Sequence, residues 1–238
     1  MTVQELYYEF NLAYNNLSSN MAPGLDPYEI SIYLTKAQNM IVDALYGEFE
    51  KSEEARKKLS NLVKTKKILP INANSGVFTD EDIRLYIDYS VVFPIEDNIR
   101  YVVNEKVKMN NNADRCIRNK FINIIPISHD EVDKLINNPF RFNMTRGFRM
   151  DVSLSDSRHV ELLLKDTNVE YYQIRYIKTP HPVILEGISN PDNDLKIDNI
   201  LANDSNASNG ELIETLHRQL IDTAAALAAN DYRKSNVN

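Results

Sequence analysis

The apolar positions of the chain follow a helical period at both ends and a period close to two in the middle. Leu6, Phe10, Ala13, Tyr14 and Leu17 recur at helical spacing, which predicts an amphipathic helix over Glu5 to Leu17, broken by the Asn, Ser, Pro and Gly of Asn15 to Gly24. Asp26 then reads as an N-cap and Pro27 as a first-turn residue of a second helix. Its buried face would be Ile30, Tyr33, Leu34, Ala37, Ile41, Ala44 and Leu45, with Gly47 as its stop. Ser52 is placed to cap a third helix from Glu53 to about Lys64, with Lys64 to Lys67 as its solvated negative end. Near the C-terminus, Leu212, Leu216, Leu220, Ala224, Leu227 and Ala228 give one more helical stripe through the alanine-rich Ala224 to Ala229.

From Ile68 the pattern changes. Ile83, Leu85, Ile87 and Tyr89 alternate with polar neighbours and run into Val91, Val92 and Phe93, a half-buried strand ended by Pro94. Asn98 to Met109 reads as a helical turn followed by a strand over Glu105 to Met109, then a polar loop from Asn110 to Asp114. Phe121 to Ile127 is a buried strand interrupted at Pro126. Ser128 with Glu131 makes a capping box for a short helix over Asp130 to Asn137, closed by Asn138-Pro139. Gly147 to Leu154 and His159 to Lys165 are strands around the turn Ser155-Asp156-Ser157. Val169 to Lys178 has β-branched and aromatic residues on both faces, as expected of a central strand covered on each side. Thr179-Pro180-His181-Pro182 ends it, Val183 to Leu185 is a short buried run, and Glu186 to Asn209 is a long loop rich in Asn and Asp.

These elements predict an α+β fold: a helical bundle from the N- and C-terminal segments with a central β-rich domain. Residues 1–67 would bundle with 210–230, 68–188 would form the β-rich domain, 189–209 an acidic loop, and 231–238 a flexible tail. A formal net charge of -7 argues against a general phosphate-binding surface. Cys116 is the single cysteine, so the chain forms no internal disulfide. The first residues lack the basic and apolar regions of a secretion signal, and no apolar run reaches the ~20 residues of a membrane span, so the expected setting of assembly is a cytosol.

No catalytic, cofactor or metal site emerges from the residues. His129, His159, His181 and His217 lie in no metal-ligand spacing, and there is no glycine-rich phosphate loop or nucleophile elbow. His129 beside Asp130 is explained by capping, and Cys116 between Arg115 and Arg118 has no evident catalytic partner. Asp192, Asp194 and Asp198 lack the Gly and terminal Glu of a calcium loop. What stands out is 13 Tyr and 8 Phe with no Trp, because several of these aromatics interleave with arginine. That mixture suits protein–protein contacts, and equally ordinary core plus surface arginine. The interface candidates are Tyr7, Tyr8, Phe140, Arg141, Phe142, Arg146, Arg149, His217, Arg218, Tyr232 and Arg233.

Six stretches taken together resemble a family of structural proteins from crAss-like and related tailed phages of Bacteroidetes. They are NLAYNNLSSNMAPGLDPYEISIYLTKAQ (Asn11 to Gln38), VVFPIEDNIRYVVNEKV (Val91 to Val107), IIPISHDEVDKLINNPFRF (Ile124 to Phe142), GFRMDV (Gly147 to Val152), YYQIRYIKTPHPVIL (Tyr171 to Leu185) and ELIETLHRQLIDTAAALAA (Glu211 to Ala229). The resemblance implies a virion protein, a ring or adaptor of the head-to-tail connector between portal and tail. It implies a homo-oligomer, twelvefold like the portal, with portal and other neck rings as partners and transient contact with translocating DNA. Asp192, Asp194, Asp198 and Asp204 would then face the channel, where like charge keeps DNA from adhering. The rival expectations are a tail-associated cell-wall hydrolase and a monomeric capsid-decoration or binding module.

Overall fold

The computed structural model describes residues 1–17, 23–71, 89–154, 157–190 and 194–235. In chain order the helices are α1 (Val3–Leu17), α2 (Pro27–Glu48), α3 (Glu53–Lys58), α4 (Val132–Ile136) and α5 (His217–Ser235). The strands are β1 (Val63–Ile68), β2 (Ser90–Pro94), β3 (Ile99–Met109), β4 (Phe121–Pro126), β5 (Arg146–Leu154), β6 (Ser157–Leu163), β7 (Val169–Lys178), β8 (Lys196–Ile197) and β9 (Ile200–Leu201). Helices at both ends and a central sheet make an α+β fold. Two compact units result, one from Met1–Leu62 with Thr179–Asn238 and one from Val63–Lys178.

In the helical unit α5 packs against α1 and α2. Leu6, Phe10 and Tyr14 of α1, Ile30, Leu34 and Ile41 of α2, and Leu220, Ala224 and Ala228 of α5 are buried. Asp26 caps α2 as the sequence predicts and forms a full capping box with Glu29. Gly47 does not stop that helix, which runs to Glu48 and brings Phe49 into the core. Ser52 caps α3 by accepting from the Ala55 N–H. That helix ends at Lys58 instead of near Lys64, because Val63 to Ile68 pair with β7 over six residues and the lysines decorate a sheet edge.

The buried face of α2 carries three polar residues, Ser31, Thr35 and Gln38, and they hold the extended run after Pro180. Thr35 Oγ1 accepts from the Val183 N–H at 3.1 Å and donates to the Val183 carbonyl at 3.3 Å. Ser31 Oγ accepts from the Leu185 N–H at 3.0 Å, and Gln38 Nε2 donates to the His181 carbonyl at 2.8 Å. On its other edge the run exchanges two backbone hydrogen bonds between Ile184 and Ser208. The prolines at 180 and 182 have no N–H to satisfy, so every remaining donor from His181 to Leu185 has a partner, His181 through Glu211. Gly210 has φ +78, and an added Cβ there would collide with the Gln38 side chain.

The segment after Glu186 is not the structureless loop its composition predicts. β8 and β9 form a hairpin whose two turn residues, Asp198 and Asn199, both have positive φ (48° and 65°), the geometry of a two-residue turn. Ile188, Ile197 and Ala202 bury a small cluster with Ile184. Asn190 donates to the Leu195 and Ala202 carbonyls, and Asp204 accepts from the Gly187 N–H at 2.7 Å. Its Asn and Asp residues thus do the backbone bonding that a ladder would otherwise do. Of the predicted tail, 231–235 continue α5, where Asp231 accepts from the Tyr33 hydroxyl at 3.3 Å, and 236–238 lie outside the described residues.

The second unit is a seven-stranded sheet in the order β1-β7-β3-β4-β5-β6-β2, antiparallel except where β4 meets β5. It curls around a main core, and a second, smaller cluster forms under α4. Phe93 of β2, the last strand in that order, and Tyr172 of β7, second from its other end, bring their rings to 5.3 Å, and Ile71 just after β1 donates to the Val92 carbonyl. The predicted alternation over 83–88 and the turn at 155–156 lie outside the described residues. β7 is an inner strand, paired with β1 and β3, but covered on one face only: Tyr172, Ile174 and Tyr176 are buried, whereas Gln173 and Arg175 are not. Asn98 to Met109 holds no helical turn. Ile99 to Met109 is one 11-residue strand whose register shifts at Ile99/Tyr101 and Val102/Asn104, and these bulges scramble the alternation. β4 is buried only at Ile122 and Ile124. Ser128 makes no side-chain cap; a 3-10 turn over His129–Glu131 leads into α4, whose Val132 and Leu135 cover Phe148 and Met150.

The Thr35 pairing gives a direct expectation. Thr35→Val strands the buried Val183 N–H and carbonyl and should cost about 1–3 kcal/mol in urea unfolding, while Ala at the exposed neighbour Lys36 should stay within about 0.5 kcal/mol.

Candidate interaction surfaces

Several predicted interface residues turn out to be interior. Arg149 of β5 points into the core of the sheet unit, where its Nη1 donates to Glu105 Oε1 at 2.7 Å and its Nε lies 3.5 Å from Asp151 Oδ1. Glu105 Oε2 accepts from the Tyr172 hydroxyl at 2.6 Å, so the carboxylate joins β5 to β7 through β3. Burial pushes the Tyr172 phenol far up, and the adjoining carboxylate adds to it. Phe142 is also buried, edge-on to Tyr89 with ring centres 5.5 Å apart. His217 is buried in the helical unit, its Nε2 donating to the Leu212 carbonyl at 3.2 Å, and burial lowers its pKa. An interior charge pair and a core aromatic cannot be told from surface ones by composition, because both obey the same local spacing.

The remaining candidates lie at the surface of their units. Tyr8 is 70% exposed on α1, and Leu12, one turn on, is 60% exposed. Tyr7 is half-buried and meets the Tyr8 ring edge-on. Between α1 and α5 runs an open groove of about 580 Å³, with Glu9, Leu12 and Leu17 on one wall and Arg218, Ile221 and Asp222 on the other. Arg218 is thus a groove residue, and Arg233 at the far end of α5 donates to the Leu17 carbonyl at 3.1 Å, with Tyr232 half-buried beside it. In the sheet unit Phe140 stands 89% exposed on the turn after α4, flanked by exposed Arg141; Arg146 is exposed at the start of β5.

Sequence reasoning passed over the outer face of the sheet. The strand registers place Lys67, Gln173, Lys106, Asn123 and Arg146 in one row across five strands. Tyr171, Lys108 and Phe121 form the next row, and Arg175 and Asn104 with Thr65 form the row on the other side. Lys67 Nζ sits 4.8 Å from the Tyr171 ring centre and Lys108 Nζ 5.0 Å from that of Phe121. Phe121 and Ile125 are 49% and 40% exposed on the same face. The signal was available in VKTKKI, NEKVKM and FINII, but only pairing across strands assembles it.

Of the acids assigned to a channel, Asp194, Asp198 and Asp204 are exposed and Asp192 lies outside the described residues. The structure gives Asp198 and Asp204 backbone work in the hairpin and the Gly187 contact. His129 sits at the surface, its Nε2 donating to the Asp151 carbonyl at 3.1 Å, and His159 is buried on β6. Among the described residues no three His, Cys, Asp or Glu side chains are grouped to hold a metal ion, and no helix is long and apolar enough to cross a membrane.

Apolar and aromatic side chains are thus left open on α1 and on a sheet face. Over residues 1–238 the chain matches the family model described as phage tail ring protein 3/4, and it belongs to that family, a family of structural phage proteins. It is similar to two proteins of Bacteroides phage crAss001. One is ring protein 4/5, 28% identical over 244 residues with 98% of this chain and 94% of that protein covered. The other is ring protein 3, 30% identical over 238 residues with 96% and 95% covered.

The buried carboxylate makes stability depend on pH. Burial, the largest influence, raises the Glu105 pKa above its usual 4.5, against the opposing pull of Arg149 and the Tyr172 hydroxyl. The folded chain therefore holds that proton longer than the unfolded one, and stability falls as pH rises from 4.5 through the raised value. Urea unfolding of wild type and Glu105→Gln between about pH 4 and about pH 8 should show wild type losing ground across that window and no further change above it.

Proposed function

We propose that this chain is the repeating subunit of a closed, non-enzymatic ring in the phage neck, between portal and tail and around the path of the DNA. The observation that carries the reading is the exposed apolar row Tyr8 and Leu12 on α1, in a chain matched from end to end by a ring-protein family. Side chains of that size left in water on a helix mark a surface awaiting a partner. Identical subunits that meet head to tail close into a ring when the rotation between neighbours divides the circle. Twelve copies would match a twelvefold portal. Asp194, Asp198 and Asp204 are exposed on one short segment, and facing the lumen they would repel phosphate over about a Debye length, ~8 Å at physiological salt. The ring assembles in the host cytoplasm and ends in the virion.

Native mass spectrometry of the purified protein, alone and mixed with the portal, tests this. The expected result is a species of twelve subunit masses, without peptidoglycan-degrading activity. A monomer under both conditions favours a decoration or binding module, and release of cell-wall fragments favours a hydrolase.

A further inference from the structure

The outer sheet face runs against the composition of the whole chain. The formal net charge is -7, yet Lys67, Lys106, Lys108, Arg146 and Arg175 share this face and none of the positions registered beside them is acidic. The cations are interleaved with open apolar surface, since Phe121 and Ile125 are 49% and 40% exposed. A shallow groove of about 200 Å³ lies among Lys106, Gln173, Arg175, Asn104 and Phe121. The fitting partner is acidic and apolar at once. A nucleic-acid duplex supplies the charge but nothing to cover Phe121 and Ile125, so the apolar part favours protein.

α1 has the complementary make-up. Its charged residues are Glu5 and Glu9, it carries no cation, and its exposed stripe presents Tyr8, Leu12 and Asn16 beside them. Its 15 residues span ~22 Å, close to the ~19 Å between the outer strands of a five-strand row.

We infer that, in the ring, the exposed stripe of α1 from one copy docks on the outer sheet face of the next copy, acid against lysine and Tyr8 and Leu12 against Phe121 and Ile125. This rests on the ring reading above and deepens it by naming the two unlike faces that head-to-tail closure needs. Charge on both sides sets which faces meet, and the apolar residues supply the desolvated centre.

Two charge-reversed full-length proteins test it. One carries Lys67→Glu with Lys106→Glu. The other carries Glu9→Lys with Asn16→Lys, which leaves Glu5 free to cap α1 together with Thr2. Each alone should self-associate about 100-fold more weakly than wild type, measured by mass photometry. An equimolar mixture should recover the wild-type ring mass with the two variants alternating, because each then offers the face the other needs. That recovery also shows that both variants are folded. Rings unaffected by either reversal overturn the docking and leave the ring reading standing. Loss that mixing does not restore overturns it too. Intact assembly with lost affinity for duplex DNA in the Lys67→Glu, Lys106→Glu protein makes the face a nucleic-acid surface instead. A wild type that stays monomeric, in solution and in the imaged virion, overturns the ring reading and the docking with it.

Discussion

The helical unit is assembled from two chain segments separated by the whole sheet unit, and the contact that closes it is polar. An extended run crossing a helical core brings N–H and carbonyl groups with no strand to pair them, and each such buried group left unpaired costs about 1–3 kcal/mol. Ser31, Thr35 and Gln38 sit at one-turn intervals along α2 and act as the missing strand for His181 to Leu185. Ile184 then pairs on the opposite edge with Ser208, which ties in the Asn- and Asp-rich segment and delivers the chain to α5. Only with that run fixed does α5 have a defined place against α1 and α2. The open groove and the exposed α1 stripe follow from that placement.

In the sheet unit the corresponding constraint is burial of Glu105 with its partners. A carboxylate in a core is tolerated when a guanidinium and a hydroxyl occupy its lone pairs, and losing one partner costs far more than the pair is worth. Because the partners come from β5 and β7 on either side of β3 in the sheet order, the network also specifies how those strands register. With Arg149 and Tyr172 committed inward, the outer face is left with Lys67, Lys106, Lys108, Arg146 and Arg175. The cationic surface is thus the other side of a strand pattern set by the interior.

Much of this could be read from the residues. Asp26-Pro27 starts α2, Ser52 starts α3, the leucines and alanines after Leu212 make α5, and β7 is an inner strand, because each is set by local spacing and capping. The failures share a cause. β1 is a lysine-rich edge whose pairing partner lies more than a hundred residues away, and it reads locally as a helix end. β3 loses its alternation to bulges. Polar Ser31, Thr35 and Gln38 look like solvated positions until the run they bind is known. The same limit applies to the surface residues: Tyr8, Phe140 and Arg141 are exposed as composition suggested, Phe142, Arg149 and His217 are interior, and the cationic sheet face exists only as a product of strand order.

The central claim is that copies of this chain complete one another through two chemically different faces. Cryo-electron imaging of the intact virion, at a resolution that traces the chain, measures this most directly. The account predicts a closed collar in which α1 of each copy covers a neighbour's sheet and no surface pairs with itself. Copies related by twofold axes, or single copies seated apart on another protein, would contradict it.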